Sequence, residues 1–270
     1  MPLKIGLVGC GAIGSEIARS IDRGEIEGEL VAVCDRNQVQ AEELIVSLKF
    51  KPRKTNLSEL VRLSDLVVEA ASQSAVPAIA KATLTEGKNL MIMSVGALAD
   101  AALFKMVKSL AKEHGSKVYL PSGAISGLDG LKSASIGKIQ KVTLTTTKNP
   151  AGLEGAPYIL EKHIDLKSLK EPTLIFEGTA PEAVRAFPAN VNVAATLCLA
   201  AREGEVMVRV VADPNIHVNK HEIHIQGNFG QISTVVENVP SPKNPKTSYL
   251  AALSAIATLR SIVEPVKIGT

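Results

Sequence analysis

Short apolar runs punctuate the first half of the chain at Leu3–Val8, Leu30–Cys34, Leu66–Glu69, Asn89–Ser94 and Lys117–Leu120. Between them, apolar residues recur with helical spacing over Ala12–Asp22, Val39–Leu48, Leu57–Leu63, Val76–Glu86 and Asp100–His114, where Gly115 supplies a stop. The apolar runs do not alternate with polar residues, so they read as strands covered on both faces. Strands that alternate with helices in this way form a parallel sheet, because parallel neighbours need a crossover connection.

The pattern changes near Pro121. Residues 122–135 are rich in small side chains and read as a loop leading into a helix. Beyond them, Lys141–Thr147, Glu205–Ala212, Glu222–Gln226 and Gln231–Glu237 alternate with period two. That period marks half-exposed strands of an antiparallel or mixed sheet with one open face. Pro181–Arg185 and Asn192–Ala201 read as helices. A polar, Pro-containing stretch at Val239–Pro245 precedes a last helix expected from about Lys246 to Val263. These shifts divide the chain into 1–123, 124–245 and a C-terminal helical segment, 246–270, expected to pack back on the first domain.

Composition narrows the function classes. Aromatic residues are 3% of the chain and Trp is absent, so the core is built from Ala, Val, Ile and Leu. The net charge of +3, with both signs interspersed, lacks the concentrated basic face that nucleic acid requires. No run approaches the ~18 apolar residues of a membrane span. The N-terminus reads as a strand entering a glycine turn rather than a leader. Cys10, Cys34 and Cys198 form no disulfide or zinc spacing. A cytoplasmic protein is expected.

The first strand ends in Gly9-x-Gly11-x-x-Gly14, and a helix follows. Gly9 permits the tight turn, Gly11 lets the backbone approach a pyrophosphate, and Gly14 lets the helix lie close to the strand. The helix opening, with Ala12 and Ile13, offers unpaired N–H groups to phosphate oxygens. Asp35 lies 21 positions after Gly14, at the end of the second strand, where a carboxylate accepts both ribose hydroxyls. This context predicts a Rossmann domain binding NAD. Arg36 follows directly and suits a 2′-phosphate, so NADP stays open. Ala70, Ala71 and Ser72 follow the third strand, and Ser94 and Gly96 the fourth. Small residues at these carboxyl ends make room for the dinucleotide.

Redox chemistry on such a cofactor needs a second platform that holds the substrate and supplies an acid or base. His217, His221 and His224 fall within eight positions. On a strand, His221 and His224 face opposite sides, which argues against a shared metal. His221 is the preferred proton-handling group, projecting where a loop enters a strand. Its ordinary pKa of ~6.5 suits that task.

The chain resembles the L-aspartate dehydrogenase family from end to end. The resemblance rests on residues 9–14 (GCGAIG), 69–73 (EAASQ), 94–97 (SVGA), 122–129 (SGAISGLD), 187–196 (FPANVNVAAT), 219–223 (NKHEI) and 244–249 (NPKTSY). It implies NAD(P)-dependent oxidative deamination of L-aspartate to iminoaspartate, then oxaloacetate and ammonia, reversibly and feeding pyridine-nucleotide synthesis. It further implies that His221 is the active-site histidine and that Ala124 and Asn190 contact the cofactor near its nicotinamide end. The second domain is implied to be an α+β fold like that of dihydrodipicolinate reductase, building a homo-oligomer of two or more subunits. His217, in a segment that varies among such enzymes, inherits no role.

Two substrate carboxylates need donors. Ser122, Asn192, Thr247 and Ser248 are the preferred candidates, with Lys148, Asn149 and Lys246 as further suppliers. Thr247 and Ser248 equally suit the cap of the last helix. Two other readings fit parts of the pattern. One is a related two-domain oxidoreductase of the homoserine dehydrogenase or dihydrodipicolinate reductase type. The other is a non-enzymatic dinucleotide sensor, disfavoured because no helix-turn-helix or basic helix is evident.

Overall fold

A computed structural model describes residues 2–188, 192–202, 204–241 and 244–269. The chain divides into two compact units. One comprises Met1–Pro121 with Ala251–Lys267, the other Ser122–Leu250 with Ile268–Thr270.

The first unit alternates as its sequence pattern predicts. Strands β1 (Leu3–Val8), β2 (Gly28–Cys34), β3 (Arg53–Lys54), β4 (Leu66–Glu69), β5 (Asn89–Ile92) and β6 (Val118–Tyr119) are joined by helices α1 (Ala12–Asp22), α2 (Gln38–Ser47), α3 (Leu57–Leu63), α4 (Val76–Thr85) and α5 (Ala101–Glu113). The sheet order is β3-β2-β1-β4-β5-β6, with every pairing parallel. The connections therefore run outward from β1 in one direction and then from β4 in the other. The gap between β1 and β4 is the switch point at which such sheets bind ligands.

Local signals fix the helix starts. The Asn37 side chain accepts the N–H groups of Val39 and Gln40, Asn56 that of Glu59, and Asp100 those of Ala102 and Leu103. Each satisfies donors that a helix leaves open at its N-terminus. Ile5, Leu7, Ile17, Val33, Leu66 and Val68 are buried in this unit's core.

In the second unit, α6 (Leu128–Ala134) leads into β7 (Ile139–Lys148). Then come α7 (Pro157–Glu161), β8 (Thr173–Thr179), α8 (Ala180–Ala186), α9 (Asn192–Ala201), β9 (Val206–Ala212), β10 (Asn219–Gly227) and β11 (Gly230–Asn238). The sheet order is β11-β10-β7-β9-β8, mixed because β7 and β9 run parallel while the other pairs are antiparallel. One face is covered, with Leu144, Phe187, Leu197, Val208 and Ile223 buried in one core. Phe176 and Phe187 meet edge-on at 5.6 Å. A capping box between Thr179 and Glu182 turns the end of β8 into α8.

The end of the chain departs from the sequence expectation. Asn244–Ser248 is strand β13, paired with β12 (Pro240–Ser241), and the last helix α10 runs Tyr249–Val263. Thr247 and Ser248 thus lie on a strand rather than in a helical first turn. Of α10, Ala255, Ile256 and Leu259 belong to the core of the first unit. β8 and the short, exposed β3 had no legible pattern.

Candidate active site

The glycine loop joins β1 to α1. Gly9 has φ +102°, and a side chain there would lie 2.4 Å from the Ala70 carbonyl oxygen. A Cβ at Gly14 would meet the Gly9 carbonyl at 1.9 Å. Both glycines are therefore fixed by backbone contact within the fold. Gly11 differs, because a Cβ there would meet nothing within 4 Å. Its absent side chain leaves open the space in front of the α1 N-terminus, which no side chain caps. Such a cradle fits a pyrophosphate: unpaired N–H groups and the positive end of a helix face room that a methyl group would fill.

Neighbouring strand ends complete this edge. The Cys10 N–H donates to Asp35 Oδ2 at 2.6 Å and the Asn37 N–H to Oδ1 at 2.7 Å. The carboxylate after β2 is thereby tied to the glycine loop while keeping lone pairs for ribose hydroxyls. Arg36 beside it is exposed. Ala70, Ala71 and Ser72 follow β4, and Ser94 and Gly96 follow β5, all at the same carboxyl edge. Burial drives the Cys10 thiol up to about 12, so this loop cysteine stays protonated and inert.

Glu69, whose own role the sequence did not disclose, fixes these two loops. It is fully buried. Oε1 accepts the Ala71 N–H at 2.8 Å and the Ser94 hydroxyl at 2.9 Å, and Oε2 accepts the Ser94 N–H at 2.9 Å. Burial pushes its carboxyl above the ordinary range while these donors pull it back. A cavity of about 780 Å³ opens at the opposite, amino-terminal edge of the sheet, beside Lys4, Gly28, Phe50 and Arg53. Volume is a poor guide here, since the helix N-terminus and the switch point lie at the carboxyl edge.

In the second unit, His221 is not at a strand's opening. It is the third residue of β10, 4% exposed, opposite Thr146 of β7. Thr146 Oγ1 and His221 Nδ1 lie 3.0 Å apart. Burial first, and the positive charge of Lys148 second, hold the imidazole down to about 3. The expectation of an ordinary titration near neutrality is therefore corrected: this is a neutral imidazole. Lys148 is buried too, which pulls its ammonium down to about 8. The Asn149 amide holds the segment before β10 by donating to the Ile216 carbonyl at 3.2 Å.

The other candidates divide. The Ala124 carbonyl is buried and accepts the Asn238 amide at 2.9 Å. Ser122 and Thr247 are half-buried, Ser248 is buried and Asn192 is exposed at the start of α9. Asn190 lies outside the described residues, as does the Lys246 side chain. His217 is exposed, and His224 pairs with Ser233 on the outer face at 2.9 Å. Among the described residues no group of three or more His, Cys, Asp or Glu is placed to hold a metal ion. Nor is any helix long and apolar enough to cross a membrane.

Thr146 and Lys148 were readable in part. On β7 Val142, Leu144, Thr146 and Lys148 are buried at one parity, with Thr147 of the other parity buried as well at the strand's end, and on β10 the buried positions are His221, Ile223 and Ile225. Continuing each apolar alternation through its polar members places all three inside.

Comparisons with known proteins bear on the family and the fold. Residues 129–262 match the family model described as aspartate dehydrogenase, C-terminal, and residues 9–121 the homoserine dehydrogenase NAD binding domain. The L-aspartate dehydrogenase of Methanosarcina acetivorans is 56% identical over 99% of this chain and 100% of its own. That of Methanocaldococcus jannaschii is 46% identical over the same shares. The crystal structure of aspartate dehydrogenase from Thermotoga maritima covers 100% of both chains with a TM-score of 0.78 at 28% identity. A homoserine dehydrogenase from Thiobacillus denitrificans shares the fold, with a TM-score of 0.65 at 15% identity over 97% of this chain and 73% of its own.

Proposed function

The chain belongs to the L-aspartate dehydrogenase family, and from that premise we propose how its residues divide the work. It is an NAD(P)-dependent oxidoreductase acting on L-aspartate. Gly9, Gly11, Ala12, Ile13 and Gly14 cradle the pyrophosphate. Asp35 takes the adenosine ribose, with Arg36 available to a 2′-phosphate. Ala70, Ala71, Ser72, Ser94 and Gly96 bound the rest of the cofactor in this unit, and Ala124 and Asn190 its nicotinamide end. The observation that carries the reading is the open space in front of Gly11, bounded by a helix N-terminus and tied to Asp35.

Bound there, the nicotinamide supplies the acceptor for the hydride that leaves the substrate Cα. The chain's residues manage charge and protons. The substrate amine must lose a proton first, because an ammonium has no lone pair with which to form the imine. A neutral His221 is the proton acceptor in the second unit, and the Thr146 hydroxyl at Nδ1 fixes its ring. Iminoaspartate results, and water adds to it with the same imidazole assisting. Ser122, Asn192, Thr247 and Ser248 are proposed to hold the carboxylates. A homo-oligomer in a reducing cytoplasm belongs to the same proposal, supported by edge strand β11, where Val235 is 56% exposed, and by three free thiols.

The test is spectrophotometric. Protein mixed with L-aspartate and each oxidised cofactor is expected to produce the absorbance of reduced nicotinamide. His221→Ala is expected to lower turnover ~10²-fold or more with cofactor affinity retained. Wild-type turnover in that variant would remove His221 from the mechanism.

A further inference from the structure

Lys148, one of the further carboxylate donors read from the sequence, lies outside the cofactor cradle and the family motifs. It is 7% exposed at the end of β7. The strand's alternation puts it on the covered face, two residues beyond Thr146. Two residues of strand advance ~7 Å. Thr146 is the residue opposite His221 and hydrogen-bonded to it. Lysine and histidine thus share one buried face at one end of the sheet. A cavity of about 20 Å³, room for a water, lies against Thr146 and Lys148, walled by Leu144, Phe187, Val208 and Val210.

Asp213, half-buried just past β9, donates its backbone N–H to the Lys148 carbonyl at 2.9 Å and accepts the Asn215 N–H on Oδ1 at 2.9 Å; the following charges are turned away or solvated. Lys220 and Glu222, which flank His221, sit at the opposite parity of β10 and pair with each other at 3.1 Å. Opposite His221 on β11 is Val236. Arg209 of β9 pairs with Glu177 of β8, both well exposed. Glu182 and Arg185 of α8 and Asp129 and Lys132 of α6 are exposed, and α9 carries no charged residue.

We propose that Lys148 receives a carboxylate of the substrate and so couples the arrival of a dicarboxylate to the proton affinity of His221. A cation beside a buried imidazole disfavours imidazolium, and an anion bound to that cation removes the penalty. Lys148 is the one charge that bears on His221 among its causes of shift, second to burial. Its ammonium, held down to about 8, sits where anion binding also keeps it protonated. The imidazole is then a weak base without substrate and a stronger one with it. This deepens the proposed role of His221 and rests on it.

The experiment follows imidazole titration rather than turnover. Histidine-labelled protein is titrated by NMR from roughly pH 4 to 8, around the ordinary histidine pKa. The His221 signal among five histidines is assigned with His221→Gln. Succinate, a dicarboxylate without an amine, is the probe. In ligand-free wild type, His221 stays neutral across the range. Lys148→Met is expected to raise its pKa by about one unit or more, and Lys148→Arg to leave it low. Succinate is expected to raise it in wild type and not in Lys148→Met. An unchanged titration in Lys148→Met, or an equal succinate shift in both proteins, overturns the proposal. Should Lys148→Met fail to fold, the wild-type arm decides alone, since no succinate shift there also overturns it. Wild-type turnover in His221→Ala would sink the catalytic role of His221 while leaving this coupling measurable, so the two failures are distinguishable.

Discussion

The three loop glycines make a prediction that separates binding from folding. Gly11 has φ −70° and ψ −162°, a conformation open to any residue. Its missing Cβ would touch no protein atom within 4 Å. Gly11→Ala therefore costs the fold about 1 kcal/mol at most, the difference between glycine and alanine at a helix N-cap. The added methyl nevertheless occupies the space assigned to the pyrophosphate. Losing that close approach is expected to weaken NAD binding at least tenfold, about 1.4 kcal/mol. Gly14→Ala is the contrast. Its Cβ would lie 1.9 Å from the Gly9 carbonyl oxygen, so α1 must move off β1 by more than an ångström. Overpacking against backbone of this kind costs about 1–3 kcal/mol or more. Thermal melts of the ligand-free variants and calorimetric titration with NAD measure both quantities. The expected pattern is a wild-type melt with lost binding for Gly11→Ala, and a lowered melt for Gly14→Ala. Wild-type affinity in Gly11→Ala would refute the cradle, however the fold behaves.

Three further expectations follow from charges. Asp35→Ser removes the ribose acceptor and the repulsion of a 2′-phosphate, so the ratio of kcat/KM with NADP to that with NAD should rise about tenfold or more; steady-state kinetics with both cofactors reads it, and an unchanged ratio discards the assignment. Glu69→Gln turns an NH₂ group toward donors from Ala71 or Ser94, which should cost about 1–3 kcal/mol of stability and also weaken cofactor binding; a melt and a titration matching wild type would show that the loops do not depend on this carboxylate. His221, held at about 3 against 6.5 when unfolded, takes up a proton on unfolding throughout that window. Its contribution is fully present above pH 6.5 and is lost as pH falls toward 3. At about two pH units below 6.5 the loss is about 2–3 kcal/mol, so His221→Asn should show a correspondingly shallower decline in urea stability between neutral and mildly acid pH, and parallel declines would contradict the buried neutral imidazole.

The Rossmann unit was legible because its signals are redundant. Buried strands such as Leu66–Glu69 are apolar up to their last residue, the helices between them keep their period, and Gly9 and Gly14 sit where backbone contacts forbid a side chain. Where such redundancy is missing, the reading failed for identifiable reasons. Arg53 and Lys54 of β3 are both exposed, so the strand exists only through its pairing with β2. β8 buries Phe176 almost alone, and an edge strand with one inward anchor leaves no period to detect. Asn244–Ser248 has a proline where a helix start tolerates one, yet it pairs with Pro240–Ser241 instead, a tertiary choice that local propensity does not encode.

His221 and Lys148 failed differently, and the failure carries information. Polarity placed one where a loop enters a strand and left the other a secondary carboxylate donor, because charged and titratable side chains are usually outside. Both lie inside, on the same face as Leu144 and Ile223. Each keeps the parity of its strand's apolar positions while its own side chain is polar. Burying an imidazole and an ammonium together costs stability, as the downward displacement of both groups records. A fold that needed only a core would carry Val or Leu at these positions, as it does at Val142, Leu144, Ile223 and Ile225. The place where a strand keeps its period but loses its apolar character is therefore where stability has been exchanged for chemistry, and in this unit β7 and β10 make that exchange at adjacent pairs.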